Sequence, residues 1–327
     1  MTPAELSRTV LATVRRAVEA HELSLAGPVP ERVVVRRPPR PGCGDYATNV
    51  ALQLAPLTGV APLAVADVIG RRLAAAPGIA RVDIAAPGFL NITLQGESHE
   101  ALVDLVREQG HRYGVGEHQA GDLPAPAPTG EPRADAYAAV LRRLHAATGI
   151  APPARRPHPV RQSPDELLRT LGADATAWAL LRPPAEDAPR TDPAAHLAQR
   201  EANPLFRVRY AHARSRALLR GAHDLGLEPG TETGRRDPAE TELLGLIADF
   251  PRTVEAAARH GAPDRLARLL ERTADAFLRF HDECPALPKG EEKPSAVHGA
   301  RLALADAAGT VLANGLTLLG ISAPRHL

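Results

Sequence analysis

Five arginines in one segment are the side chains of this sequence with the clearest capacity for chemistry. Within residues 203–220, apolar or small side chains repeat at helical spacing, and arginines flank the resulting stripe on both sides. The stripe consists of Val208, Ala211, Ser215, Leu218 and Leu219, with Arg207 and Arg214 on one side and Arg209, Arg216 and Arg220 on the other. A guanidinium can pair with a phosphate and stack on a base, so one row could face RNA. A docked helix whose arginine stems cover apolar surface would show the same pattern, and both interpretations stay open.

Phe89 and Asn91 form the second candidate group. They lie two residues apart in a segment with strand character, so their side chains are expected to share one face. A ring and an amide on one face can stack on an unpaired base and hydrogen-bond its edge. The alternative is structural, with Phe89 in a core and Asn91 in a turn. The residues alone leave both interpretations open.

Three other patterns do not support a chemical site. The 281–284 run (HDEC) cannot converge on one metal ion, because adjacent helical residues point in different directions. The Gly-x-Gly pairs at 42–44 and 114–116 lack the preceding buried strand of a phosphate loop. Cys43 and Cys284 are too few for a disulfide framework or a four-ligand zinc site. We therefore predict no metal and no cofactor.

Composition bounds the class of protein. The 327 residues are 44% hydrophobic and 24% charged, which is enough apolar surface for two domain cores. Aromatic residues make up only 3%, so Leu, Val and Ala must fill those cores, which favours packed helices. The net charge of +1 provides no overall basic field. The sequence has few cysteines and no apolar leader at its N-terminus, which predicts a cytoplasmic protein. No stretch comes near the ~20 apolar residues of a membrane span, so none is expected.

Capping residues and periodicity predict that the first part of the chain is α+β. A capping box at residues 2–5 (TPAE) opens a helix that reaches about Ala20. Further helices are predicted at 44–54, at 63–75 and up to about Gly110, and strands at 32–36, 82–84 and 89–94.

The second part is predicted to be entirely helical. Residues 114–130 are rich in Gly and Pro and indicate a linker, and a proline-rich connector follows a helix at 134–147. Ser163 and Asp237 open further helices, and no strand-like alternation follows residue 163. The predicted domains are therefore an α+β domain at 1–122, a linker with one helix at 123–162, and a helical bundle at 163–327.

Several blocks of sequence resemble arginyl-tRNA synthetases. The 44–51 block (GDYATNVA) and the 87–92 block (PGFLNI) are similar in order and spacing to the additional N-terminal domain of that family. The 203–214 segment (NPLFRVRYAHAR) resembles the opening helix of the family's DALR-type anticodon-binding domain, and 301–324 resembles its closing helix. The resemblance implies an α+β domain followed by an all-α anticodon-binding bundle.

The catalytic middle of that family has no counterpart here. Residues 128–130 (PTG) resemble the entry to its ATP site and 135–149 the helix that follows, but the intervening His-x-Gly-His signature is missing. In the family, these imidazoles stabilise charge that develops on ATP. Residues 160–162 (VRQ) replace the Lys-Met-Ser-Lys loop, and the short 151–159 connector cannot form a nucleotide-binding sheet, since one crossover unit needs ~30 residues. We expect no complete Rossmann catalytic domain and no enzymatic activity.

The resemblance also implies roles for individual residues. Phe89 and Asn91 match the position that reads a nucleotide of the tRNA D-loop. The implied anticodon-binding residues are Phe206, Arg207, Tyr210, Ala211, Arg214, His281 and Leu327. Three of these depart from the family, which tends to have tyrosines at positions 207 and 281 and a methionine at 327. Each lost aromatic platform could cost ~1–3 kcal/mol per base, so we expect anticodon selectivity to suffer more than general tRNA binding.

The leading hypothesis is a non-catalytic tRNA-binding protein that binds the elbow and anticodon regions of a tRNA. An arginine-type tRNA is the first candidate ligand. A second hypothesis is a protein-interaction module that pairs with a true synthetase. A third is an accessory subunit that supports arginyl-tRNA aminoacylation only beside a catalytic partner. The sequence leaves the oligomeric state open.

Overall fold

The structure, a computed structural model, describes residues 1–38, 43–116, 128–230 and 237–327. Its contacts divide the chain into two compact units. One contains Met1–Leu102 together with the first turn of a helix that begins at Pro238, and the other contains the remaining described residues. The predicted boundary at residue 122, most of the predicted 114–130 linker, and Gly42 lie outside the described residues.

The first unit has the predicted α+β architecture. Its elements are α1 (Pro3–Glu19), β1 (Val35–Arg36), β2 (Tyr46–Thr48), α2 (Val50–Thr58), α3 (Pro62–Ala74), β3 (Ile79–Ala85) and β4 (Phe89–Leu94). The strands form an antiparallel sheet in the order β1-β2-β4-β3. The core lies between the helices and one face of this sheet, and includes Leu6, Val10, Ile69, Leu90 and Ile92.

Helix α1 begins where the capping residues predict. The Thr2 hydroxyl accepts a hydrogen bond from the Glu5 N–H, and the Glu5 carboxylate accepts one from the Thr2 N–H. Pro3 occupies the first helical position, where a missing N–H has no cost. Leu6 and Val10 on the inner face are fully buried, so the amphipathic spacing directs how the helix packs.

The predicted 44–54 helix was wrong over its first part. Tyr46–Thr48 is strand β2, which pairs with β4, and helix α2 begins only after it. Gly44 has a φ of +81°, and a Cβ there would lie 2.8 Å from the Ile92 carbonyl oxygen. The Asp45 carboxylate accepts a hydrogen bond from the Leu94 N–H at 2.7 Å. These contacts join residues far apart in the sequence, so local periodicity could not reveal them.

All the regular elements of the second unit within its described residues are helices, which confirms the predicted bundle. Its helices are α4 (Gly96–Gln109), which starts in the first unit, α5 (Pro132–Thr148), α6 (Pro164–Leu181), α7 (Pro193–His196), α8 (Pro204–Asp224), α9 (Pro238–His260), α10 (Asp264–Glu283) and α11 (Ala296–Leu319). Helix α8 packs against both α10 and α11, and α5 packs against α6. The one sheet within the described ranges is antiparallel, unlike the parallel sheet of a Rossmann domain.

Helix α11 is the central helix of this bundle. Its 24 residues are long and apolar enough to cross a membrane, so the expectation that no segment approaches a membrane span was wrong. However, 78% of its most apolar stretch is buried inside the fold, and Leu304 and Leu312 are fully buried. Packing against α8 and α10 therefore accounts for its apolar composition.

Arg133 joins the start of α5 to two other segments. Its side chain is fully buried, and its guanidinium donates to six backbone carbonyls at 2.6–3.5 Å. The acceptors belong to His158, Leu180, Pro183, Pro184, Ala185 and Asp187. Because two prolines follow the end of α6, its last carbonyls lack partners within the helix. Arg133 supplies these partners and also closes the proline-rich connector onto α5.

The segment that follows α4 belongs to the helical unit. The Asn314 amide donates to the carbonyls of Gly110 and Tyr113, both at 3.0 Å. The Tyr113 hydroxyl donates to the Ile247 carbonyl at 3.1 Å. The division by contacts therefore falls after Leu102, about twenty residues before the predicted boundary at 122.

Candidate nucleic-acid interface

Phe89 and Asn91 lie on the open face of the sheet. Along β4, Leu90 and Ile92 are fully buried toward the helices, whereas Phe89 is 40% exposed and Asn91 is half-buried. Alternation along the strand therefore places the ring and the amide on one face, as the spacing predicts. The exposure of Phe89 excludes its interpretation as a core residue.

Small side chains flank the ring and the amide across the strands. Asn91 lies opposite Ala47 of β2 and Asp83 of β3, and Phe89 lies opposite Ala85 of β3. Residues directly opposite in an antiparallel pair share a face. Ala47 leaves one flank of Asn91 uncovered and Ala85 leaves one flank of Phe89 uncovered, so a flat ligand could contact both.

The same face also carries charged side chains that the sequence analysis missed. Arg81 Nε lies 2.9 Å from an Asp83 carboxylate oxygen, and the two side chains are 64% and 47% exposed. Arg36 of β1 lies opposite Ala47 and extends the Asn91 row to the edge of the sheet. These side chains become neighbours through the strand order, in which β2 separates β1 from β4. No local pattern in the sequence encodes that order.

Most arginines of the α8 rows are engaged inside the helical unit. Their partners are carboxylates on other segments: Asp275 for Arg207, Asp174 for Arg209 and Asp306 for Arg216, at 3.0, 3.6 and 3.0 Å. Arg220 donates to the carbonyl of Arg325 at 3.4 Å. For these four arginines the structure supports the docked-helix interpretation.

Arg214 and His281 are brought together by the packing of α8 on α10. The exposed Arg214 donates from Nε to His281 Nε2 at 3.0 Å. Burial and then the Arg214 charge lower the pKa of His281 from its ordinary 6.5, while Asp282 acts in the opposite direction. A neutral ring is required for Nε2 to accept this bond. The ring also stacks on Phe277, with centroids 6.2 Å apart and planes 10° apart.

Phe206 and Tyr210 form an aromatic pair one turn apart on α8. Their ring centroids are 5.8 Å apart and their planes differ by 17°. Tyr210 is 39% exposed and Phe206 is half-buried. Aromatic surface therefore remains on this helix although position 207 holds an arginine.

Ala211 and Leu327 differ from the other predicted anticodon-binding positions. Ala211 is fully buried, so its methyl group is not accessible to a ligand. Leu327 is 59% exposed and lines a groove of about 410 Å³ together with Phe206. The segment before Leu327 is held on α8 by His212, whose Nδ1 bonds with the Pro324 carbonyl at 2.9 Å.

These features define the class of the protein: an α+β domain with an exposed ring and amide, and a helical bundle of the anticodon-binding type. Residues 5–94 match the family of the arginyl tRNA synthetase N terminal domain, and residues 208–327 match the DALR anticodon binding domain. An arginine–tRNA ligase of Frankia alni is 42% identical over 166 residues, which cover 50% of this chain and 30% of the ligase. The solved arginyl-tRNA synthetase of Thermus thermophilus has the same fold, with a TM-score of 0.66 and 13% identity over 100% of both chains.

The chain is therefore related to arginyl-tRNA synthetases and carries their N-terminal domain and their anticodon-binding domain. The matched region spans less than a third of the length of the Frankia ligase.

Proposed function

We propose that this protein binds tRNA through two faces and does not aminoacylate it. The observation that carries the proposal is the open sheet face, where Phe89 and Asn91 are accessible to a ligand. A ring that stacks and an amide that hydrogen-bonds are the two contacts with which proteins read an unpaired RNA base. The D-loop of a tRNA is the proposed source of that base.

The second proposed face lies on α8 and α10. Tyr210 stacks on Phe206 and remains exposed, and the exposed Arg214 is fixed by His281. These groups provide base stacking and a positive charge for a phosphate, which a single-stranded anticodon loop requires. Since Arg207, Arg209 and Arg216 are paired with carboxylates, we expect fewer phosphate contacts than the five arginines of the segment suggest.

The connector between α5 and α6 supports a non-catalytic role. The Val160 N–H donates to the Glu131 carboxylate at 2.9 Å, and the His158 carbonyl accepts from Arg133 at 3.0 Å. The connector thus closes directly onto α5, without the ~30 residues that one crossover unit of a nucleotide-binding sheet needs. We expect the purified protein to show no arginine-dependent exchange between ATP and pyrophosphate. Measurable exchange would contradict this part of the proposal.

Titration of tRNA at low and moderate salt tests the binding itself. Affinity should fall steeply between about 50 and 200 mM salt, because phosphate contacts release counterions. Arginine-type tRNA and an unrelated tRNA, measured side by side, test which tRNA is preferred. Absence of binding at the lower salt would end the proposal.

A pair of exposed apolar residues provides the matched test of the sheet face. Phe89→Ala should weaken tRNA binding about 5- to 150-fold, since stacking on one base is worth ~1–3 kcal/mol. Leu168→Ala serves as the control, because Leu168 is 50% exposed but lies on α6 of the helical unit. Equal affinities for the two variants would show that the sheet face does not contact the RNA.

A further inference from the structure

We propose that the outer face of helix α10 binds the phosphate backbone of a base-paired RNA stem. This face, the α10 stripe, consists of Arg265, Arg268, Arg272, Asp275 and Arg279. The inference rests on the proposed function, because it takes RNA as the ligand. It adds a contact surface that is separate from the sheet face and from the aromatic pair of α8.

Helical spacing places the five side chains of the α10 stripe on one side of the helix. With 3.6 residues per turn, these positions fall within about 80° of one another around the helix axis. All five residues are exposed, whereas the positions between them, such as Leu266 and Phe277, are fully buried. The buried positions provide the contacts with α8 and α11, so the stripe is left to solvent.

The fold leaves positive charge uncompensated on the first half of the α10 stripe. Four carboxylates on or beside the stripe each have an arginine partner: Asp264 has Arg268 at 3.0 Å, Glu271 has Arg182 at 2.9 Å, Asp275 has Arg207 at 3.0 Å, and Glu242 has Arg279. The exposed side chains of Arg265 and Arg272 form no ion pair or hydrogen bond with any described residue. They lie two turns apart, about 10 Å along the helix axis. The exposed carboxylates of Asp282 and Glu283 come only at the other end of α10.

The connector between α5 and α6 adds a further guanidinium at the turn that leads into α10. Arg155 Nε donates to the His260 carbonyl at 3.0 Å. The arginine stem passes over Gly261, which has a φ of +57° and where a Cβ would lie 2.8 Å from Arg155 Cγ. Because this bond uses only Nε, the remaining donors of the exposed Arg155 side chain are available to a ligand. The positive surface therefore begins on the connector and continues along the first half of α10.

The residue types of the α10 stripe favour phosphate groups over bases as its ligand. The aromatic residues of α10, Phe277 and Phe280, are fully buried, so the stripe has no ring on which a base can stack. A guanidinium matches the geometry of a phosphate with two parallel N–H donors. A base-paired stem encloses its bases and presents its phosphates, and phosphate contacts carry no sequence information. The stripe should therefore contribute affinity and salt dependence to the same extent for RNAs of different sequence.

A double substitution with a matched control tests the inference with the full chain and one tRNA. The variant that combines Arg265→Gln and Arg272→Gln should lower the slope of log K against log salt by about 2, since each lost phosphate contact lowers it by about 1. Its loss of affinity should therefore be about tenfold larger at 50 mM than at 200 mM salt. The control combines Arg8→Gln and Arg15→Gln, which removes two exposed arginines with the same seven-residue spacing from α1. It should keep the wild-type slope.

Two simpler polyanions test the chemistry of the partner. An RNA duplex without loops should bind the wild type and lose affinity in the α10 double variant, because the proposed contacts need only a base-paired stem. Polyglutamate of equal total charge should bind the wild type much more weakly, since its carboxylates lack the geometry of a phosphate backbone. If polyglutamate bound as tightly as the duplex and lost as much affinity in the variant, the stripe would be a surface for acidic polypeptides. That result would overturn the inference.

The outcomes separate this inference from the proposed function. If the wild type bound tRNA and the α10 double variant kept the wild-type slope, the role of the stripe would be refuted and tRNA binding would stand. An equal drop in slope in the α1 control would assign the effect to net charge, which also overturns the inference. Failure of the wild type to bind any RNA would refute both proposals. Urea unfolding of each variant, followed through Trp178, excludes a general loss of structure.

Discussion

The open sheet face and the arginine-lined face of α8 differ in how many of their side chains already form contacts with other parts of the protein. On the sheet, Phe89 and Asn91 point away from the helices, and each has an alanine opposite it on one side. On α8, most arginines pair with carboxylates or carbonyls of neighbouring segments, because α10 and α11 pack against this helix. Arginines beside an apolar stripe are therefore weak evidence for an RNA site where other helices pack against that stripe. A single exposed ring on an uncovered sheet is stronger evidence.

The largest expected effect concerns an arginine committed entirely to the fold. Arg133→Met should destabilise the helical unit by ~3 kcal/mol or more, because six backbone carbonyls would lose the donor that the buried guanidinium supplies. The fluorescence of Trp178, which is buried in α6 near the Leu180 carbonyl, should report this loss in a urea titration. Arg142→Met, at an exposed position of α5, should change stability little. Similar unfolding midpoints for the two variants would show that the Arg133 contacts are dispensable.

The second prediction ranks the two aromatic surfaces. Phe89 and Tyr210 are equally exposed, at 40% and 39%, but Tyr210 already stacks on Phe206, so Phe89→Ala should weaken tRNA binding more than Tyr210→Ala. We expect about tenfold for the first and only a few-fold for the second, within the ~1–3 kcal/mol per base of RNA stacking. Filter binding with one tRNA at fixed salt provides the measurement. A larger loss for Tyr210→Ala would reverse the ranking of the two faces.

The sequence predicted those features that depend on local chemistry. The start of α1 at the Thr2 capping box, the helix that begins after Ser163, and the shared face of Phe89 and Asn91 all follow from neighbouring residues. The features it missed depend on distant residues. Strand β2 forms because Tyr46–Thr48 pairs with β4, and the neighbours of Asn91 depend on strand order.

Buried polar contacts were equally hidden from local reasoning. The sequence shows two prolines after Leu181, which indicate the end of a helix and carbonyls without partners. It does not show that Arg133, nearly fifty residues earlier, supplies the donors. Likewise, a row of arginines at helical spacing is visible in the sequence, whereas the aspartates that pair with them lie on other segments.

The third prediction separates a structural arginine from a proposed RNA-binding one on the same helix. Arg216 pairs with the Asp306 carboxylate at 3.0 Å and donates to its backbone carbonyl at 2.9 Å, so Arg216→Gln should cost about 1 kcal/mol of stability. Arg214→Gln should leave stability nearly unchanged, since its side chain is exposed. It should reduce the slope of log K against log salt by about 1, the effect of one lost phosphate contact. Salt titrations and urea unfolding of both variants provide the measurements. A loss of stability in Arg214→Gln, or a smaller salt slope in Arg216→Gln, would contradict the prediction.

The smallest expected effect is a pH dependence confined to the helical unit. Burial lowers the pKa of both His212 and His281 from the ordinary 6.5, so the folded protein resists protonation that the unfolded chain accepts. Their contribution to stability is therefore complete above pH 6.5 and is lost as the pH falls below that value. Protonation of His281 also removes the acceptor for Arg214.

Urea unfolding followed through Trp178 at several pH values between about 7.5 and 5 measures this dependence. His281→Gln removes a titrating group while keeping a polar side chain, so the fall in stability with acidification should be shallower than in the wild type. His223→Gln, at an exposed position of α8, is the matched control and should preserve the wild-type slope. If stability fell with pH equally in His281→Gln and in the wild type, the contact with Arg214 would not depend on a neutral ring. Packing against α10 would then order the α8 face less than the geometry indicates.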